Sequence, residues 1–132
     1  MDKNRLVTEL FFERPTFTEV SKIAKALEKG GVKVILMPPE DRGINAHLVV
    51  ENEGLPQARD IIKKMGLPLM EKEVVLITLE NVPGTMAAAT RKISENGVNL
   101  TYAFSVALPP VLSYVLFGAE DNKAALKALS AP

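Results

Sequence analysis

Two spacings of apolar residues take turns along this chain, a short one that fits strands and a longer one that fits helices. Residues 6–12 read as a strand. Val20, Ile23, Ala24 and Leu27 then fall at i, i+3, i+4 and i+7 with Gly30 as a stop, which predicts a helix over 17–29. Strands are expected at 32–37 and 46–51. Leu55, Ala58, Ile61, Ile62 and Met65 mark a second helix over 56–65, with Pro56 in its first turn and Gly66 after its last. A short strand is expected at 67–70.

The order then repeats. A strand over 73–79 precedes a helix carrying Met86, Ala89 and Ile93, strands at 98–106 and 112–117 flank Pro109-Pro110, and a helix covers 122–129. Setting Gly97-Val98-Asn99-Leu100 on Gly31-Val32-Lys33-Val34 gives a period of 66 residues. Two ferredoxin-like βαββαβ units follow, over residues 1–71 and 72–132, in an α+β fold with antiparallel sheets and helices on one face. Nothing in the second unit matches 67–70, so its first strand is expected to have a bare edge, covered by a partner unless the chain has been shortened. Val74-Val75-Leu76-Ile77 is apolar at consecutive positions, which predicts burial of both faces of that strand. Units this small bury little surface alone and should pack on each other and on a second copy, giving a homodimer.

Composition narrows the classes. Residues 96–119 carry no charge, a length that raises a membrane helix, but the paired prolines with Asn99, Thr101, Ser105 and Ser113 make two strands the better reading. Sixteen basic and sixteen acidic residues cancel without a run of one sign, against a nucleic-acid surface. The chain has no cysteine, hence no disulfide frame and no thiolate. His47, the single histidine, sits in an apolar strand without a second ligand and reads as a surface or packing residue, so neither a metal nor a cofactor is expected. The start Met1-Asp2-Lys3-Asn4-Arg5 leads into no signal-like apolar core, which makes the cytoplasm the expected location. Met65, Met70 and Met86 read as core filling, and Tyr102 with Phe104 as interface packing.

Candidate chemistry concentrates where Leu79-Glu80-Asn81-Val82-Pro83-Gly84-Thr85-Met86 turns from strand to helix and Gly97-Val98-Asn99-Leu100 returns nearby. Free N–H groups and the positive end of a helix dipole attract a carboxylate. Pro83 suits a first helical position, Gly84 has no Cβ to bar approach, and no acid lies between Asn81 and Ser94. Each asparagine carboxamide can accept from an ammonium and donate to a carboxylate. The first unit differs: Thr16-x-x-Glu19 is a capping box that satisfies its own helix start and puts a carboxylate where a ligand's would go.

On these residues the chain resembles tandem ACT-domain proteins of the stand-alone, amino-acid-binding regulatory type. The resemblance covers nearly the whole chain and is sharpest from Val74 to Leu100, where an apolar strand meets Asn-x-Pro-Gly, then Met86 at the usual leucine position, then Gly-x-Asn-Leu. It implies a regulatory module of amino-acid metabolism, not an enzyme, that takes an amino acid or similar carboxylate between domains packed side by side. It further implies ligand contacts from Asn81, Val82, Pro83, Gly84, Thr85 and Met86 together with Asn99 and Leu100. Neither nucleic acid nor membrane is an expected partner. Leu79 stands where some amino-acid-sensing members carry a histidine, and Glu13-Arg14-Pro15-Thr16-Phe17 replaces the Pro-Gly turn of the first unit.

Three rivals share the element order. A structural oligomerisation module without a ligand is one. An acylphosphatase-like enzyme would use Arg14 to hold phosphate, but Pro15 and the capping box follow it instead of a glycine-containing cradle. An RNA-binding domain would need exposed aromatics on a basic sheet; Tyr102, Phe104, Tyr114 and Phe117 lack basic neighbours.

Overall fold

The computed structural model describes residues 4–13, 16–37, 45–108 and 111–130; Arg14, Pro15, Arg42-Gly43 and the expected turn at Pro109-Pro110 lie outside them. The elements in chain order are β1 (Arg5–Glu13), α1 (Phe17–Lys29), β2 (Val34–Leu36), β3 (Asn45–Glu51), a short 3-10 turn (Asn52–Gly54), α2 (Leu55–Lys64), β4 (Met70–Glu80), α3 (Thr85–Glu95), β5 (Leu100–Leu108), β6 (Leu112–Ala119) and α4 (Asn122–Ser130). They form two compact units, one of residues 7–72 and one of 73–130 joined by 4–6. The fold is the α+β arrangement of two ferredoxin-like units.

In the first unit the strands lie in the order β2-β3-β1. β1 and β3 run antiparallel with Leu10 opposite Leu48. Leu10, Phe12, Leu48 and Val50 turn one sheet face toward Ile23 and Leu27 of α1 and Ala58 and Ile62 of α2. Those helical residues fall on one stripe, so burying the stripe against the sheet removes the apolar side of both elements from water. Met65 packs against this core.

The second unit is ordered β4-β6-β5 and is antiparallel throughout. Val75, Ile77, Val115 and Phe117 pack beneath Ala89 and Ile93 of α3 and Ala125 of α4, with Met86 beside them. Val74, Val75, Leu76 and Ile77 are all buried, so both faces of β4 are covered, as four apolar residues in a row require. Phe117 is fully buried in the core, which removes it from any exposed aromatic platform.

Three expectations are corrected. The strand expected at 67–70 is not a separate element: residues 67–69 form none, and Met70 instead opens the eleven-residue β4. Pro68 explains the gap, since it has no N–H to give a ladder. The edge of the second unit's first strand is not bare. Residues 4–6 group with that unit, the Thr78 N–H donates to Asn4 Oδ1 at 3.2 Å, and Leu6 packs on the second core. Finally, His47 is not an isolated packing residue. Its Nδ1 lies 2.5 Å from Glu9 Oε1, a close approach without the alignment of a hydrogen bond, and its ring stacks on Phe11.

The repeat is written in the helix ends. Gly31 N–H donates to Glu28 O and Val32 N–H to Leu27 O; Gly97 N–H donates to Ser94 O and Val98 N–H to Ile93 O. Each pair is a Schellman closure around a left-handed glycine, φ 80° at Gly31 and 75° at Gly97. The strands that follow carry an irregular register at matching places, between Val34 and Leu36 and between Leu100 and Tyr102. Both features repeat at the 66-residue spacing.

Candidate ligand-binding site

β4 ends at Glu80, and the chain turns at once. Asn81 N–H donates to Val111 O at 2.5 Å, tying the turn to the start of β6. Thr85 Oγ1 donates to Glu80 O at 2.7 Å and to Val82 O at 3.1 Å, closing the loop from inside. Gly84 is the N-cap of α3 with φ 92°, a conformation that β-carbon-bearing residues avoid. No side chain caps this helix, and a Cβ built on Gly84 would meet nothing within 4 Å. The α3 N-terminus therefore opens outward.

It opens onto a cleft of about 300 Å³ lined by Leu79, Asn81, Val82, Pro83, Gly84, Thr85 and Met86 on one side and by Ser105, Ala107, Ser113 and Val115 on the other. Strand register builds the second wall. Ser113 lies opposite both Leu79 and Ala107, and Val115 opposite Ser105, so these side chains share the sheet face that carries α3. The four wall residues from β5 and β6 were not singled out in the sequence. Their signal is a pair of serines at positions where the strand pattern otherwise puts apolar residues against the helices.

The expected site residues divide. Asn81 to Met86 line this cleft, whereas Asn99 and Leu100 line a different depression of about 450 Å³ with Ala87, Thr90, Arg91, Ser94 and Val98. Asn99 is engaged there: its Nδ2 donates to Glu120 Oε2 at 3.3 Å, and its carbonyl accepts from Glu120 N–H at 3.0 Å. Leu100 packs on the second core.

The matching place in the first unit is closed. Glu19 N–H donates to Thr16 Oγ1 at 3.1 Å and Thr16 N–H donates to Glu19 Oε1 at 3.0 Å, a complete capping box. The Thr16 N–H holds the Glu19 carboxyl below its ordinary value, because that bond favours the ionised form. Only about 40 Å³ remains beside it, lined by Phe12, Glu13, Glu19, Ile23, Leu67 and Pro68. The helix starts explain the contrast. Gly31 and Gly97 close α1 and α3 at one spacing, yet α1 has 13 residues and α3 only 11, so α3 begins two residues later in the repeat. The missing half-turn leaves the cleft.

Among the described residues no cluster of three or more His, Asp or Glu is placed to hold a metal ion. No described helix is long and apolar enough to cross a membrane.

The family model for ACT domain pairs matches residues 7–128. This chain belongs to the ACT domain pair family. Solved structures agree on the fold. A Bacteroides thetaiotaomicron protein superposes on this ACT pair with a TM-score of 0.76 and 18% identity, covering 96% of this chain and 87% of that one. The regulatory subunit of aspartate kinase from Thermus thermophilus, in ligand-free form, gives 0.64 and 17% over 96% and 93% of the two chains. Escherichia coli aspartokinase III in complex with lysine and aspartate gives 0.59 and 12%, covering 96% of the ACT pair and 31% of the kinase. No curated protein matches the sequence.

Proposed function

We propose that this ACT pair is a cytoplasmic, non-catalytic regulator of amino-acid metabolism whose second unit binds an amino acid at the start of α3. One observation carries the reading: of two equivalent helix starts, one is filled by Thr16 and Glu19 and the other, at Gly84, is uncapped beside a cleft of about 300 Å³. The ligand carboxylate takes the N–H groups of the α3 first turn, and the Asn81 carboxamide takes the ammonium. Two or three charge-assisted hydrogen bonds of about 1.5–3 kcal/mol each give roughly micromolar to high-micromolar affinity, which suits a monitor of free pools. A contact from Asn99 belongs to this reading only if the ligand or a second copy reaches its separate depression. Titled complexes of aspartokinase III with lysine and aspartate support the choice of ligand class by analogy of fold.

Binding acts by population shift, favouring one packing of a homodimer over another. The test is calorimetric titration of the whole chain against the twenty amino acids. Gly84→Val is a poor blocking variant, because φ 92° strains any side chain there. Ala87→Glu is better. Ala87 is exposed at the third position of α3, where an acid can reach back to the N-cap as Glu19 does in α1. The expected result is a loss of affinity of about tenfold or more in Ala87→Glu and unchanged binding in Glu19→Ala. No heat and no melting shift with any amino acid would sink the proposal.

A further inference from the structure

The cleft's lining also limits which amino acids can fit. No charged side chain lines it: Glu80, which ends β4, is exposed and lies outside the lining. A ligand with a lysine-like or aspartate-like side chain would bring a charge to a wall of Leu79, Met86, Ala107 and Val115 with no countercharge. The wall is not wholly apolar, however. Ser113 is 9% exposed, so it is nine-tenths buried, and its hydroxyl makes no side-chain hydrogen bond among the described residues. Buried hydroxyls are ordinarily satisfied, and one left over in the wall of a cleft is a feature that needs a partner. Ser105 lies diagonally across the ladder on the same face, nearer the open side.

We infer that the cleft selects a small neutral amino acid whose side chain carries a hydroxyl or carboxamide, and that Ser113 is the specificity-determining residue that reads it. This rests on the sensor reading above and adds the ligand class to it. With the carboxylate on the α3 N-terminus and the ammonium at Asn81, the ligand side chain points to the β5–β6 wall. There a polar group satisfies Ser113 while the remaining carbons cover Leu79, Met86 and Val115. An apolar side chain of the same size leaves the serine unsatisfied, and the penalty for that falls on affinity.

Titration of the whole chain with near-isosteric pairs tests this, threonine against valine and asparagine against leucine. At least one polar member should bind about five- to tenfold more tightly than its apolar twin, and lysine and aspartate more weakly than either. In Ser113→Ala the preference should collapse to near unity through loss of the polar ligand alone. Equal binding within both pairs in the unaltered protein would overturn the inference without any variant, so a poorly folding Ser113→Ala leaves it testable. A preference that survives in Ser113→Ala would overturn it too. Tight lysine or aspartate binding that Ala87→Glu removes would leave the sensor standing and refute only the ligand class. Silence with every amino acid would remove both.

Discussion

Single side chains set where this protein is closed and where it is open. Thr16 closes α1, and Thr16→Ala should cost about 1 kcal/mol, read as a lower urea midpoint with an unchanged slope. Two carboxyls sit below their ordinary value of 4.5: Glu19, held by the Thr16 N–H, and Glu71, held by the Arg59 guanidinium through paired bonds of 2.8 Å. In the unfolded chain both bind protons more readily. Their stabilisation is therefore present above the ordinary carboxylate range and lost as pH falls through the lower folded values. Urea midpoints should stay level from neutrality to about pH 5 and then decline, and Glu71→Gln should make that decline shallower. The capping box was legible because its partners are three residues apart. The approach of Glu9 to His47 was not, because only the β1–β3 register brings those two together. Ser113 escaped notice for a related reason: a lone serine in an apolar strand shows nothing until its face and its neighbours are known.

At the scale of elements, glycines carry the architecture. Gly66 N–H donates to Lys63 O and Leu67 N–H to Ile62 O, so α2 ends with the same Schellman closure as α1 and α3. Gly118 works differently. A Cβ there would lie 2.5 Å from Tyr102 Cε1 and 2.8 Å from Thr101 Oγ1, so the β6 backbone is where the Tyr102 ring rests. Gly118→Ala should destabilise by about 1–3 kcal/mol through overpacking, seen as a drop in Tm. Apolar spacing located all four helices and the strands of both units, since burial of one stripe or face leaves a period in the residues. It failed at 67–70. A short apolar run beside a proline carries no period, and only the length of β4 shows that Met70 belongs to the strand after it.

For the molecule as a whole, the two units are not separable at a linker. Residues 70–72 of β4 group with the first unit and 73–80 with the second, whose core also takes Leu6. A fragment of residues 73–132 should therefore melt at lower temperature and less cooperatively than the whole chain, as circular dichroism would show. β5 is the outermost strand of β4-β6-β5, and an edge of nine residues is the place to expect pairing with a second copy. Sedimentation should show a dimer; a clean monomer at high concentration would be the contrary result. Ligand at a hundredfold excess over Kd should add about 2.7 kcal/mol to stability. The unequal starts of α1 and α3 also offer a tool. Transplanting the threonine–glutamate pair into the later helix would leave a protein that behaves as though permanently fed, and cells carrying it would reveal what satiety signals downstream.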